Sequence, residues 1–407
     1  MPDTQVGGRS HMVVRAIVAG VLGAWLIWQI VATGLAGLAT RSRDARLLAA
    51  IASPSHPQAA SLFAQSLFVA GDDAAAARLA RSVVLVDPTN DQALRVLGLA
   101  TERKGKKERG ASIMRQAAML GWRDTPTQLW VLRDAALRND AVMVIQRADA
   151  LARRNRSGNL TRAIFFAAIT DPSLRAAFID SLARQPVWRD FFFADVRERL
   201  PASSMNAMEA LFREMRARHL PVDPSERLNY IYRLVDLGQF GRARNIWAGS
   251  FGIPANRLAT APYDADFAMA AVRPTDSPVS PFDWQINPDL TGTVTFSDGP
   301  AESSLAIPAS ITGGTIIASQ LLILTPGRHD LSARIGGLAS AATAGWSITC
   351  LPSKTELPRR LPHGSDDELS SVSFDVPAQG CGGQRLALVA RDRLDAQPVT
   401  VANVVVR

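Results

Sequence analysis

Apolar residues over the first two-thirds of the chain recur at three- and four-residue spacings, the period of one helix face, amid many Ala, Leu and Arg and few β-branched residues. From Phe282 onward the texture changes to short alternating runs bounded by Gly, Pro and Asp, the pattern of strands half-buried on a sheet. Between the two, residues 251–281 hold Pro254, Pro262, Pro274, Pro278 and Pro281 without sustained periodicity, which predicts an interdomain linker. Ahead of both, residues 16–39 contain no ionisable side chain and only Gln29 and Thr33 as polar interruptions. A helix of that length at ~1.5 Å per residue spans ~36 Å, enough for a ~30 Å hydrocarbon layer, so the stretch predicts a transmembrane helix. A signal peptide cleaved near Gly37-Leu38-Ala39 is the competing reading.

Within the helical part the pattern repeats. A 34-residue offset pairs Ala60 with Leu94, Phe63 with Leu97, Ala64 with Gly98, Ala76 with Gly110, Ala80 with Met114 and Val83 with Ala117. Within each unit the small residue of the first helix (Ala64, Gly98) is expected to meet that of the second (Ala76, Gly110), because larger side chains there would force the helices apart. Asp87-Pro88 ends the first unit, since proline cannot continue the helical ladder. In these positions the stretch resembles tetratricopeptide repeats, and the resemblance makes Ala64, Ala76, Pro88, Gly98, Gly110 and Ala117 the repeat-packing residues. In the second unit Trp122 stands where the family's terminal proline is expected. Residues 126–138 and 140–154 read as a further helix pair, turning at Asn139-Asp140, and Leu228–Leu237 with Phe240–Trp247 as another. From 159 to 220, Pro172, Pro186 and Pro201 predict short helices, with Phe191-Phe192-Phe193 as core.

Strands are predicted at 282–286, 292–297, 303–308, 314–324, 328–335, 345–351, 370–376, 384–391 and 399–406, an antiparallel sandwich. The segment from Gln320 to Arg334, with Pro326-Gly327 as the turn of a hairpin, and the closing strand Val401–Val406, resemble the galactose-binding-like and carbohydrate-binding-module jelly rolls. That resemblance implies sugar binding, which needs aromatic faces for pyranose rings. Trp284 and Trp346 are the candidate stacking residues, with core packing as the alternative. Asn403 stands where the family commonly has an acidic pair.

The whole then reads as multidomain α plus β: a cytoplasmic N-terminus at 1–15, a single transmembrane helix at 16–39, a tetratricopeptide-like α-helical solenoid at 41–250, the linker at 251–281 and a C-terminal antiparallel β-sandwich, or jelly roll, at 282–407. Its expected place is the inner membrane, single-pass, with the bulk extracytoplasmic. Arg9 and Arg15 before the helix against Arg41, Arg43 and Arg46 after it mildly oppose that orientation, but a large domain is translocated largely regardless of flanking charge. Cys350 and Cys381, the only cysteines, predict one structural disulfide in an oxidising compartment.

Charge is unevenly spread. Residues 273–407 carry 10 Lys/Arg against 13 Asp/Glu and residues 1–40 carry 2 against 1, so 41–272 holds a surplus of +10 within a total of +8. Such a field attracts polyanions, with anionic lipid headgroups, acidic polysaccharide or nucleic acid as candidates; a solvated arginine-rich surface is the plainer reading. Five histidines, His11, His56, His219, His329 and His363, stand singly without metal-ligand spacing, and no nucleophile elbow, phosphate loop or dinucleotide fingerprint occurs. Asp366-Asp367-Glu368 reads as a solvated turn. No catalytic residue, cofactor, metal or nucleic-acid partner is expected. The combination predicts a non-enzymatic scaffold for assembly, export or anchoring of cell-surface polysaccharide, holding envelope proteins on its arm. The alternative is a protein-only adaptor of a secretion or division complex.

Overall fold

A computed structural model describes residues 56–121, 123–274, 276–290, 295–298, 303–307, 314–336, 344–357, 370–390 and 399–407. The chain divides into two compact units, Met1–Phe165 with Ala176–Ser181, and Phe166–Arg175 with Leu182–Arg407.

The first unit is a helical-repeat arm. Helices α1 (Pro57–Val69), α3 (Asp91–Arg103) and α5 (Thr125–Leu137) alternate with α2 (Asp73–Val86), α4 (Lys107–Leu120) and α6 (Ala141–Arg153), and both series advance in steps of 34 residues. The starts are fixed locally. Asp72, Asn90, Asp124 and Asp140 each accept a bond from the backbone N–H three residues on, at 2.9, 2.9, 3.1 and 3.0 Å, satisfying an amide the helix leaves orphaned. The small positions fix the spacing. A Cβ on Gly98 would come within 3.2 Å of the Gly110 carbonyl oxygen, and one on Gly110 within 2.8 Å of the Gly98 oxygen and of the Glu102 nitrogen. Helices α3 and α4 therefore approach backbone to backbone.

Buried polar bonds run along the same helices. Arg95 on α3 donates to Gln65 on α1 at 2.9 Å and to Asp124 at the start of α5 at 2.5 Å. One side chain thus links three successive units of the repeat. The pattern loosens in α7 (Gly158–Thr170) and α8 (Pro172–Ala183), where Pro172 opens a helix at the one turn that tolerates it.

The second unit joins helices to the sandwich. Helices α9 (Arg189–Arg199), α10 (Met205–Ala217), α11 (Pro224–Asp236) and α12 (Phe240–Phe251) are followed by the short α13 (Ala255–Leu258) and α14 (Ala268–Ala271). Of the Phe191–Phe193 cluster, Phe192 and Phe193 are core and Phe191 is exposed. Arg189 and Glu226, 4% and 2% exposed, form a two-bond ion pair at 2.5 and 2.8 Å, and Arg189 also donates to the carbonyls of Leu182 and Pro221. With Asp223, Glu226 closes a capping box at the start of α11.

Nine strands are described: β1 (Gln285–Ile286), β2 (Thr295–Asp298), β3 (Ser303–Ile307), β4 (Ile316–Leu322), β5 (Gly327–Gly336), β6 (Ala344–Pro352), β7 (Ser370–Val376), β8 (Cys381–Ala390) and β9 (Val399–Val406). They form two sheets, β1-β4-β8-β6 and β2-β3-β9-β5-β7, with every neighbouring pair antiparallel. Between them lie Leu305, Ile307, Leu331, Val401 and Val404 from one sheet and Ile317, Trp346, Ile348, Leu386 and Leu388 from the other. Strands β4 and β5 sit in different sheets, so Pro326-Gly327 belongs to a crossing between sheets and not to the expected hairpin. Asn403 lies at φ 53° where the β5–β9 register shifts between Ser332 and Arg334. It is a bulge residue, and asparagine is one of the few side chains that tolerate that backbone.

The stretch expected as a linker helps build this unit. Phe267 and Ala270 are in the sandwich core, and the carbonyls of Ala261 and Ala265 accept bonds from Val406 and Val404 of β9 at 2.6 and 2.8 Å. Helices α11 and α12 seat on the same surface. Tyr232 donates to the Val279 carbonyl at 3.0 Å, Gln285 donates to the Tyr232 hydroxyl at 2.6 Å, and Trp247 packs on Phe282 with ring centroids 5.2 Å apart. Phe240 lies so close to Gly383 that a Cβ there would come within 2.9 Å of its ring.

The transmembrane expectation is corrected. Among the described residues no helix is long and apolar enough to cross a membrane, and residues 1–15, the segment 16–39 and its cleavage site lie outside them. Even 14-residue helices such as α2 and α4 reach only ~21 Å against a ~30 Å hydrocarbon layer. The fold class is multidomain α plus β with a helical arm and antiparallel sheets. The single-pass inner-membrane placement rested on the 16–39 helix and is withdrawn.

Two stability measurements follow. Gly110→Ala gains ~1 kcal/mol of helix propensity but drives a methyl into two backbone atoms, an overpacking of ~1–3 kcal/mol, so a net loss of stability is expected in thermal melts of the arm. Removing the Cys350–Cys381 bridge, whose cysteines are 31 residues apart, by the double change C350S/C381S lowers sandwich stability by roughly 3–4 kcal/mol in a denaturant titration followed by tryptophan fluorescence.

Candidate functional site

The sequence-predicted packing residues fall on helices α1 to α4 and the turn after α2. Ala64 and Ala76 share a core cluster with Ala80, Val96 and Leu97, Gly98 and Gly110 face each other, and Ala117 is fully buried. Pro88 is exposed in the turn after α2, where it limits the helix without packing against it. Trp122 and Asp366-Asp367-Glu368 lie outside the described residues.

Cys350 on β6 and Cys381 on β8 are bonded and buried in the sandwich core. Trp284 and Trp346 are in that core as well, 1% and 3% exposed, with ring centroids 6.3 Å apart. Trp284 stacks on Phe267 at 4.7 Å and donates its indole N–H to the Asp264 carbonyl at 2.7 Å. Both rings are enclosed by protein and present no face to a sugar in solution. Asp264 is a buried carboxylate accepting the backbone N–H groups of Met269 and Ala270 at 3.0 and 2.9 Å. Burial raises its pKa, those two amides pull it down, Asp266 adds to the rise and Arg273 opposes it. It is a capping group for α14.

A concave site in the arm has the features of a recognition surface. Helices α4, α5 and α6 line a groove of about 300 Å³ whose floor is Ala118, Val131 and Met143, with Met119 at its mouth. Its rim carries Arg115, Arg138 and Arg147 against one carboxylate, Asp134. Asp134 holds Arg138 at 2.8 Å and Arg115 at 3.8 Å. Arg147 donates to Gln128 at 2.9 Å and to the Met143 sulfur at 3.3 Å, and burial lowers its pKa from the usual arginine value. It remains charged at any working pH, because arginine does not deprotonate in proteins. Met119 is 74% exposed at the mouth. Unbranched thioether side chains conform to varied apolar partners, and an arginine-rich rim favours acidic ones.

None of these groove residues was singled out from sequence. The signal was present in part: carrying the 34-residue phase into the helix pair at 126–154 would have placed Val131 on a buried face. The convergence of Arg115 with Arg138 and Arg147 depends on how three helices stack, which one-dimensional spacing does not encode.

Comparison with known protein families finds no matching family model, and comparison with curated proteins finds no match. The class defined by the fold is a helical-repeat arm with a C-terminal antiparallel β-sandwich.

Met119 is 74% exposed, so Met119→Asp is expected to leave the melting temperature within about 1 °C of the parent, whereas Arg138→Glu replaces the Asp134 ion pair by an i,i+4 like-charge contact and is expected to lower it by a few degrees at most. Both therefore serve as probes of the groove, checked by circular dichroism melts.

Proposed function

We propose that this protein is a non-catalytic scaffold that holds a partner protein in the α4–α5–α6 groove of its arm. The observation that carries the reading is the groove itself, a methionine-bearing apolar floor under a rim of three arginines and one carboxylate. Its partner would offer an aliphatic or aromatic anchor flanked by Asp or Glu, since apolar contact supplies affinity and complementary charge supplies register.

The 34-residue step supports reading the arm as tetratricopeptide-like. The two antiparallel sheets, with the chain crossing between them after β4, support reading the sandwich as related to galactose-binding-like and carbohydrate-module jelly rolls. On that combination the scaffold would serve assembly, export or anchoring of a cell-surface polysaccharide, with an envelope protein of that machinery on the arm. A specific observation favours the second reading, a protein-only adaptor of a secretion or division complex. Trp284 and Trp346 are enclosed in the core, and the sandwich has no tyrosine, so a principal means of gripping a pyranose ring is missing.

Selection of peptides from a random displayed library on the purified protein tests the scaffold reading. Enriched peptides should combine an apolar anchor with acidic neighbours, and Arg138→Glu or Met119→Asp should weaken them by roughly ten-fold or more, about 1.4 kcal/mol. Peptides that bind both variants as well as the parent would remove the groove from consideration. A glycan array separates the two roles: silence across all sugars supports the adaptor, and a specific sugar supports the polysaccharide scaffold.

A further inference from the structure

A second concave site, in the other unit and independent of the groove, carries unbalanced charge of a different kind. Helices α10, α11 and α12 line an open cavity of about 270 Å³ that brings together Arg213, Arg216 and Arg227 with Asn245, Ser250 and one carboxylate, Glu209. Among the described residues none of these three guanidinium groups has a carboxylate partner within ion-pair distance. The nearby carboxylates are committed elsewhere. Glu209 takes Arg242 at 2.7 Å and the Tyr230 hydroxyl at 3.0 Å. Glu226 is held by Arg189 and by the Asp223 amide at 3.0 Å.

Arg227 is half-buried, and its guanidinium carbon sits 4.9 Å from the centre of the Phe212 ring, which fixes its plane. Burial lowers its pKa most, the positive charge of Arg216 lowers it further, and Glu226 partly opposes both. Two like charges held together on packed helices repel, and among the described residues no carboxylate sits within ion-pair distance of them, Glu226 acting on Arg227 only from farther off. A ligand carrying about two negative charges would compensate them, and planar guanidinium forks match phosphate oxygens through paired hydrogen bonds. A singly charged carboxylate would leave more of the repulsion in place.

The geometry points to a binding site for a phosphate group at Arg213, Arg216 and Arg227, with Asn245 and Ser250 as further hydrogen-bonding groups. The group could come as the free ion or as a phosphate monoester, and the cavity has room for either plus a small substituent.

Isothermal titration of the full chain with sodium phosphate and with phenyl phosphate, each compared with sodium acetate at equal ionic strength, tests the site. Saturable one-site binding of phosphate or its monoester is expected, with acetate much weaker. Arg213→Gln and Arg216→Gln alter exposed side chains and should each weaken binding by roughly ten-fold. In acetate the melting temperature of Arg216→Gln should equal or exceed that of the parent, since one repelling charge is gone. Preference for phenyl phosphate over phosphate would identify an esterified ligand, and the reverse the free ion. Equal binding by acetate, or undiminished phosphate binding in both variants, would overturn the assignment.

Discussion

Two peptide backbones that can touch only because neither residue carries a side chain set the geometry of the arm. Where Gly98 meets Gly110, α3 and α4 come together at a distance a side chain there would not permit, and one unit earlier the equivalent pair is Ala64 and Ala76, the next smallest residues. A helix pair so joined still has an apolar face it cannot cover alone, and the next pair covers it. Groove and array are therefore linked: the hollow among α4, α5 and α6 exists because successive pairs are set down at a fixed step, and Arg95 ties the steps together through Gln65 and Asp124.

Arginine works in three distinct ways in this molecule. Buried beside Glu226, Arg189 has four of its five N–H donors bonded and holds helices α9 and α11 in place; the loss of either partner would strand a charge in a dry site. On the rim of the arm groove, Arg115 and Arg138 share one carboxylate. In the α10–α12 cavity the charges go unmatched. The large positive surplus of the helical half is thus not uniform, and the question to ask of each guanidinium is what it faces, not how many there are.

Much of this architecture was legible in the chain. The small-residue offset, the alternation after Phe282 and the two cysteines are local signals, and they correspond to the α3–α4 contact, the nine described strands and the Cys350–Cys381 bond. What failed to read was partnership at long range. Pro326-Gly327 has the composition of a hairpin turn, yet the strands on either side belong to different sheets, because alternation reports a strand but not its neighbour. Trp284 offered two readings, a ring for a core, which the scarcity of aromatics favours, or a ring for a sugar, and its core partner Phe267 lies in a stretch with no periodicity to announce it. The groove residues were illegible for the same reason: Arg115 and Arg147 come from different helices.

The proline-rich stretch between helices and sheets has an implication for where this protein can be cut. Its Phe267 is enclosed among sandwich residues, and its Ala261 and Ala265 carbonyls take the amides of the last strand that lie beyond its pairing with β3. A fragment that began at Phe282, where the texture of the chain changes, would leave an aromatic-sized hole beside Trp284 and strip two amides of their acceptors. The natural seam lies upstream, so any shuffling of this sandwich between proteins, by evolution or by design, has to carry the strap along with it.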